Sequence, residues 1–219
     1  MDYDIECIAA SVLEARGDQC RFLVAIAGPP ASGKSTLSKA LSNYLNEIID
    51  LRSVVVPMDG FHLDNDCLKD LKLLHRKGAP ETFDFDSFFR LLRRLEISDQ
   101  PIYYPIFDRA LDKVIAGRSA VYPRDQVILV EGNYLLLDEQ PWSQLNLLFD
   151  YSIFLDTPVT IFIRVDLPAP LSPTRPMTSP ALKVRSTPCS TLTDPKLFSI
   201  PETFKRLILV VPDAVGIDQ

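Results

Sequence analysis

Residues 22–36 read Phe-Leu-Val-Ala-Ile-Ala-Gly-Pro-Pro-Ala-Ser-Gly-Lys-Ser-Thr. The apolar run Phe22–Ala27 leads directly into Gly28-Pro29-Pro30-Ala31-Ser32-Gly33-Lys34-Ser35-Thr36. This is G-x-x-x-x-G-K-[ST], the phosphate-binding loop, in the strand-then-helix setting that the motif requires. Gly28 and Gly33 let the backbone curl so that successive N–H groups point at phosphate oxygens. The helix that begins near Lys34 adds its positive N-terminal end. Lys34 is expected to reach the β- and γ-phosphates, and Ser35 to offer its hydroxyl to Mg²⁺. The segment therefore predicts binding of a nucleoside triphosphate.

Working outward, residues 3–16 carry Ile5, Ile8, Ala9, Val12 and Leu13 at helical spacing. Strands are predicted at Arg21–Ala27, Ser53–Pro57, Gln126–Val130 and Tyr151–Leu155, and the loop helix over Lys34–Ile49. A further helix capped by Asp84 or Asp86 runs to about Leu95, with Phe85, Phe88, Phe89 and Leu92 inward. Near-continuous apolar strands separated by helical segments predict a parallel sheet covered on both faces. Ligands bind at the carboxyl edge of such sheets. The loop, Asp59 and Glu131 all fall at strand ends on that edge.

The bulk composition narrows the function classes. The chain has 219 residues and a net charge of −6, so its surface as a whole is not built to attract nucleic acid or an acidic membrane. The opening Met-Asp-Tyr-Asp-Ile-Glu lacks the basic and apolar regions of a signal peptide, and no apolar run approaches a membrane span. Cys7, Cys20, Cys67 and Cys189 are scattered, which fits buried or incidental thiols in a reducing cytosol better than a disulfide or zinc framework. A cytoplasmic protein is expected.

Five segments, in order, carry a resemblance: Gly28–Thr36, Pro57-Met-Asp-Gly-Phe-His-Leu-Asp64, Arg76-Lys-Gly-Ala-Pro-Glu-Thr-Phe-Asp84, Tyr104-Pro-Ile-Phe-Asp-Arg109 and Val130-Glu-Gly-Asn-Tyr-Leu135. Together they resemble the uridine kinase, phosphoribulokinase and bacterial pantothenate kinase group, over residues 1–158. The branch they look most like is that of the bacterial fructose transport system kinases and nucleoside-kinase-like proteins. The resemblance implies a P-loop NTPase fold, a three-layer α/β/α arrangement with a mostly parallel sheet. It also implies ATP and Mg²⁺, a small-molecule hydroxyl acceptor of sugar or nucleoside type, and Asp59 as the catalytic base. Glu131 matches the acidic position that holds Mg²⁺ through water or orients the base. A homodimer is left open.

Each candidate has a plainer reading. Asp59 can cap a turn, and Glu131 can be an ordinary strand-end carboxylate. Arg76 and Lys77 are candidates to clamp substrate or phosphate, though such pairs on loops are usually solvated. Tyr104 and Arg109 are candidates for an acceptor-site flap, and His62 either touches the substrate or serves as a polar turn residue. Asp84 is expected to cap a helix. Two rival functions remain: an ATP-binding relic without turnover, and a P-loop NTPase that hydrolyses without an acceptor.

The composition breaks at about Thr160: nine of the 18 prolines lie in the last 60 residues, with one glycine, Gly216. The expected division is a kinase core over 1–158 and an atypical Pro-rich segment over 159–219. Residues 165–206 do not match the helical, arginine-bearing lid that the resemblance implies. Arg206–Val211 is apolar enough to substitute for a final strand. Back-translated with degenerate codons, Val165–Thr174 can read on the opposite strand, shifted by one base, as Val-Gly-Glu-x-Gly-Ala-Gly-Lys-Ser-Thr. We therefore expect residues from about 160 onward to be translated antisense, joined by a frameshift, rearrangement or assembly error. Sequencing the locus is expected to reveal a junction near codon 160. An uninterrupted frame, with a peptide from this region detected in cells, contradicts an artefactual junction and leaves a rearranged but real protein.

Overall fold

The computed structural model describes residues 4–156 and the short stretches Thr178–Ser179, Lys205–Val210 and Val215–Gly216. The elements in chain order begin with α1 (Ile5–Arg16), β1 (Phe22–Ala27), α2 (Lys34–Glu47) and β2 (Ser53–Pro57). A 3₁₀ turn at Met58–Phe61 leads to α3 (Asn65–Asp70), α4 (Phe85–Ile97), β3 (Ile102–Asp108) and β4 (Lys113–Val121). Then come β5 (Val127–Gly132), β6 (Tyr151–Asp156), β7 (Thr178–Ser179), β8 (Lys205–Val210) and β9 (Val215–Gly216).

Five strands form one parallel sheet in the order β2-β5-β1-β6-β8. All six residues of β1 are buried, which is why it reads as an unbroken apolar run instead of an alternating one. Leu23, Ala25, Ile128 and Val130 face a core built from α4, the β3–β4 hairpin and Trp142. Val24, Ile26 and Leu129 face α1 and α2, through Ile8, Val12, Leu37, Leu41 and Leu45. The result is the expected three-layer α/β/α arrangement. Lys205–Val210 pairs parallel with β6, close to the segment expected to serve as a final strand. The expected division at residue 158, the missing lid and the antisense reading otherwise fall outside the described residues.

The helix boundaries have local causes. Asp4 Oδ1 accepts from the Cys7 amide at 3.0 Å and caps α1. Asp84, and not Asp86, caps α4: its Oδ1 accepts from the Ser87 amide at 3.0 Å. Phe85, Phe88, Leu91, Leu92 and Leu95 then repeat on one buried face. At the other end, the Arg21 guanidinium donates to the Leu95 and Ser98 carbonyls at 2.8 and 3.1 Å, satisfying orphan acceptors of the last turn. Cys7, Cys20 and Cys67 are free thiols, and they are exposed, not buried. Among the described residues no helix is long and apolar enough to cross a membrane.

The sequence did not reveal the antiparallel β3–β4 hairpin. Its register shifts between Tyr104 and Ile106, at Pro105, a residue that strands tolerate at bulges. Tyr104 is a correction to the expected flap. It is 2% exposed, and its hydroxyl donates to the Val55 carbonyl at 2.8 Å, so it ties the hairpin to β2 inside the core.

Trp142 is the hub of the second core layer, with its ring 5.3–6.4 Å from those of Phe83, Phe85, Phe88 and Tyr134. Replacing Trp142 by Ala is expected to cost about 3–5 kcal/mol in urea unfolding. A loss below about 1 kcal/mol would show that the aromatic layer does not hold α4 on the sheet.

Candidate active site

The parallel register brings the functional strand ends into one row. Ile26 pairs with Glu131, and Glu131 with Pro57. The loop after β1, the carboxylate near the end of β5 and the turn after β2 therefore open on the same edge. A cavity of about 410 Å³ lies there, lined by loop residues Pro30, Ala31 and Gly33–Thr36, with Asp59, Arg109, Glu131, Gly132 and Asn133.

Gly33 has φ +89° at the N-terminus of α2, a conformation that L side chains rarely adopt. The first turn of α2 itself contains no acidic residue, so the carboxylates at this end of the helix come from other segments. The Lys34 ammonium donates to the Pro29 carbonyl at 2.6 Å and lies 3.5 Å from Ser32 Oγ. Burial pushes its pKa down to about 8, and the carboxylates of Asp59 and Glu131 oppose that shift.

Ser35 and Glu131, the two predicted metal-binding residues, are in contact. Ser35 Oγ donates to Glu131 Oε1 at 3.1 Å, and Ser38 Oγ donates to Oε2 at 3.1 Å. Burial raises the Glu131 pKa, the two serine hydroxyls pull it back, and Asp59 adds a smaller upward push. Ser38 was not singled out from sequence, although its place one helical turn after Ser35 puts it on the same face. Asn133 was also missed as a lining residue, though it lies within the Val130–Leu135 segment.

Asp59 sits in the 3₁₀ turn behind β2, anchored by fully buried Met58. Gly60 is required there: a Cβ would overlap the Pro105 carbonyl of the hairpin. Asp59 Oδ2 lies 3.9 Å from Arg109 Nη2, with the two side chains 40% and 82% exposed. So exposed a pair contributes little to stability. Its interest is its position on the cavity.

The other candidates are engaged elsewhere. His62 Nδ1 is 3.0 Å from the Asp59 carbonyl oxygen, and its ring lies 4.0 Å from that of Phe83 and 5.2 Å from that of Phe107. It thus fastens the turn that carries Asp59. Arg76 pairs with Glu81 at 2.6 Å, and Lys77 bonds to Asn65 and Asp112 at 2.7 and 2.8 Å. None of these three lines the cavity. Clamping of substrate by Arg76 or Lys77 would require breaking those contacts.

A sequence model described as the phosphoribulokinase and uridine kinase family matches residues 23–165, and the chain belongs to that family. A crystal structure from Silicibacter sp. TM1040, of a protein provisionally described as a fructose transport system kinase, superimposes with a TM-score of 0.68. It is 46% identical and covers 73% of this chain and 77% of that one. A provisionally named uridine kinase of Schizosaccharomyces pombe is 38% identical over 143 residues, which is 63% of this chain and 61% of that protein. A pantothenate kinase of Enterococcus faecalis is 31% identical over 137 residues, which is 62% of this chain and 45% of that protein. The chain thus spans about half to three fifths of the length of these curated relatives.

The low pKa of Lys34 has a consequence for nucleotide binding. Below pH 8 the ammonium is charged with or without phosphate nearby. Above pH 8 the free protein loses that proton, and binding of a polyanion must recover it. The Lys34 contribution to ATP affinity is therefore expected to be flat below about pH 8, and affinity to fall as the pH rises above it. Lys34→Arg removes the fall and Lys34→Ala removes most of the binding, both by calorimetric titration. Unchanged ATP affinity in Lys34→Ala contradicts the assignment of the loop.

Proposed function

We propose that this chain transfers the γ-phosphoryl group of ATP to a hydroxyl of a small metabolite of sugar or nucleoside type, with Mg²⁺. The observation that carries this reading is the arrangement of Asp59 on the same cavity as Lys34, Ser35 and Glu131, with an open side at Arg109. In this reading the triphosphate lies on the loop and the acceptor beside Asp59, at the side of the cavity that Arg109 lines. The names of the relatives, kinases of uridine, pantothenate or fructose transport, point to the same reaction type.

The donor set fits Mg²⁺: the Ser35 hydroxyl and the Glu131 carboxylate are hard oxygen ligands, and the ionised carboxylate is disfavoured by its burial until a cation compensates it. Ser35 would hold the ion directly and Glu131 directly or through water. When bound, the ion neutralises charge on the phosphate oxygens.

The chain's own residues supply the rest. Amides of the loop and of the first turn of α2 hold phosphate oxygens, and Lys34 adds a mobile charge. Asp59 accepts the acceptor's hydroxyl proton as its oxygen bonds to the γ-phosphorus. The bond from that phosphorus to the β,γ-bridging oxygen breaks, and ADP leaves with the electron pair.

A second reading, ATP binding with little turnover, draws on one observation. The family match ends at residue 165, and residues 165–206 do not resemble an arginine-bearing lid. Arginine contributions in related phosphoryl-transfer systems reach about 10³–10⁵ in rate. Arg109 is the one arginine among the described residues that lines the cavity.

Asp59→Asn is expected to keep ATP affinity within about threefold and to lower acceptor-dependent ADP release by roughly 10²–10⁴. Retained turnover removes Asp59 from the role of base. ADP release that never depends on an acceptor would replace the kinase reading by a hydrolase.

A further inference from the structure

Arg109 reaches the cavity with its side chain 82% exposed, yet the turn that carries it is tied down from behind. Asp108 begins that turn, with its Oδ1 accepting from the Ala110 and Leu111 amides at 3.0 and 3.1 Å. Asp112 closes it with φ +49°, a left-handed conformation that Asp and Asn tolerate better than most residues. Asp112 also reaches away from the cavity. Its Oδ1 accepts from Lys77 Nζ at 2.8 Å, and its Oδ2 accepts from Asn65 Nδ2 at 2.8 Å. Lys77 Nζ donates in turn to Asn65 Oδ1 at 2.7 Å. The three side chains thus close a ring in which each bonds to both others.

Two features distinguish this ring from an ordinary surface ion pair. The Lys77 side chain is only 22% exposed, and its ammonium lies 5.3 Å from the centroid of the Phe107 ring, on β3 itself. Asn65 is also fixed, as the first residue of α3, whose cap Asp64 accepts from the Asp66 amide at 2.9 Å. The hairpin is consequently held along β3 by the Tyr104 bond to Val55 and the close approach of Pro105 to Gly60, and at its tip by Asp112.

We propose that Asp112, Lys77 and Asn65 form a latch that positions Arg109 against Asp59. The latch residues are positioning residues, since none lines the cavity. Its purpose follows from electrostatics. Asp59 faces a site meant for a polyanion, and its charge opposes binding unless a cation stands beside it. Arg109 supplies that cation 3.9 Å away. A long side chain on a free turn would spend most of its time elsewhere, so holding the turn is what keeps the charge in place. The inference rests on reading the cavity as a nucleotide site.

The test is a calorimetric titration with MgATP combined with hydrogen exchange of segment 105–115, on the full chain. Arg109→Ala is expected to weaken MgATP binding about three- to tenfold. Asp112→Gly, which suits the left-handed turn, and Lys77→Met are expected to reproduce that loss and to speed exchange in 105–115 while β1 and β5 stay protected. Lys77→Arg restores both. In the double variant Asp112→Gly/Arg109→Ala, binding is no weaker than in Arg109→Ala alone. Unchanged exchange in both latch variants overturns the proposal. So do losses that multiply in the double variant, because the latch would then act other than through Arg109. Phosphotransfer measured on the same preparations reports separately on the kinase reading: no turnover with intact MgATP binding sinks that reading and leaves the latch judged by binding and exchange. A parent protein that does not bind MgATP overturns both.

Discussion

One partly buried ammonium set against two carboxylates organises this molecule. Lys34 sits under its own loop, desolvated, with Asp59 and Glu131 at the ends of the two strands next in order from β1. A cation so placed would lose its proton more readily without those acids, and Glu131 would resist ionisation more without the Lys34 charge and the hydroxyls of Ser35 and Ser38. The three charges come from three separate segments: the first turn of α2, the end of β5 and the turn after β2. They meet because parallel pairing aligns Ile26, Glu131 and Pro57 in one row, so that successive loops leave the sheet together. A slip of one residue in that register would turn each strand's side chains to the opposite face and misplace the carboxylates.

The β3–β4 hairpin serves the sheet and the cavity at once. β2 is the last strand of the sheet, and an open edge there would present unpaired backbone groups. The Tyr104 hydroxyl occupies one of them, the Val55 carbonyl, while Ile102, Tyr104 and Val121 join the core. The same hairpin rests on Gly60, beside Asp59, and carries Arg109 on its turn. Stability and electrostatics are therefore coupled through one element. Its position depends on a glycine that allows close approach and on a polar ring that holds the tip.

Much of this was legible in the chain. β1, β2, β5 and β6 announce themselves because burial on both faces leaves no polar interruptions, and the phosphate loop is written in contiguous residues. Glu131 was legible because it directly follows a buried strand. The hairpin was hidden for physical reasons. Pro105 interrupts its first strand at a bulge, and its turn is built from Asp108 and the left-handed Asp112 in place of an Asn-Gly pair. Two of the candidate residues have partners that the sequence could not reveal. Lys77 finds its partner 35 residues away, and Tyr104 finds its acceptor 49 residues away, distances at which spacing carries no information. Arg76, paired with Glu81, needed only local contact, which a basic residue on a loop does not reveal by itself.

The central claim is that the cavity moves a phosphoryl group from ATP to an alcohol. It is tested most directly by ADP release from the purified chain with Mg²⁺, across fructose and other sugars, uridine and other nucleosides, and pantothenate. The account predicts release that rises with one class of acceptor and yields a phosphorylated product of matching amount. ATP bound tightly, with no acceptor raising ADP release above the background without protein, would contradict it.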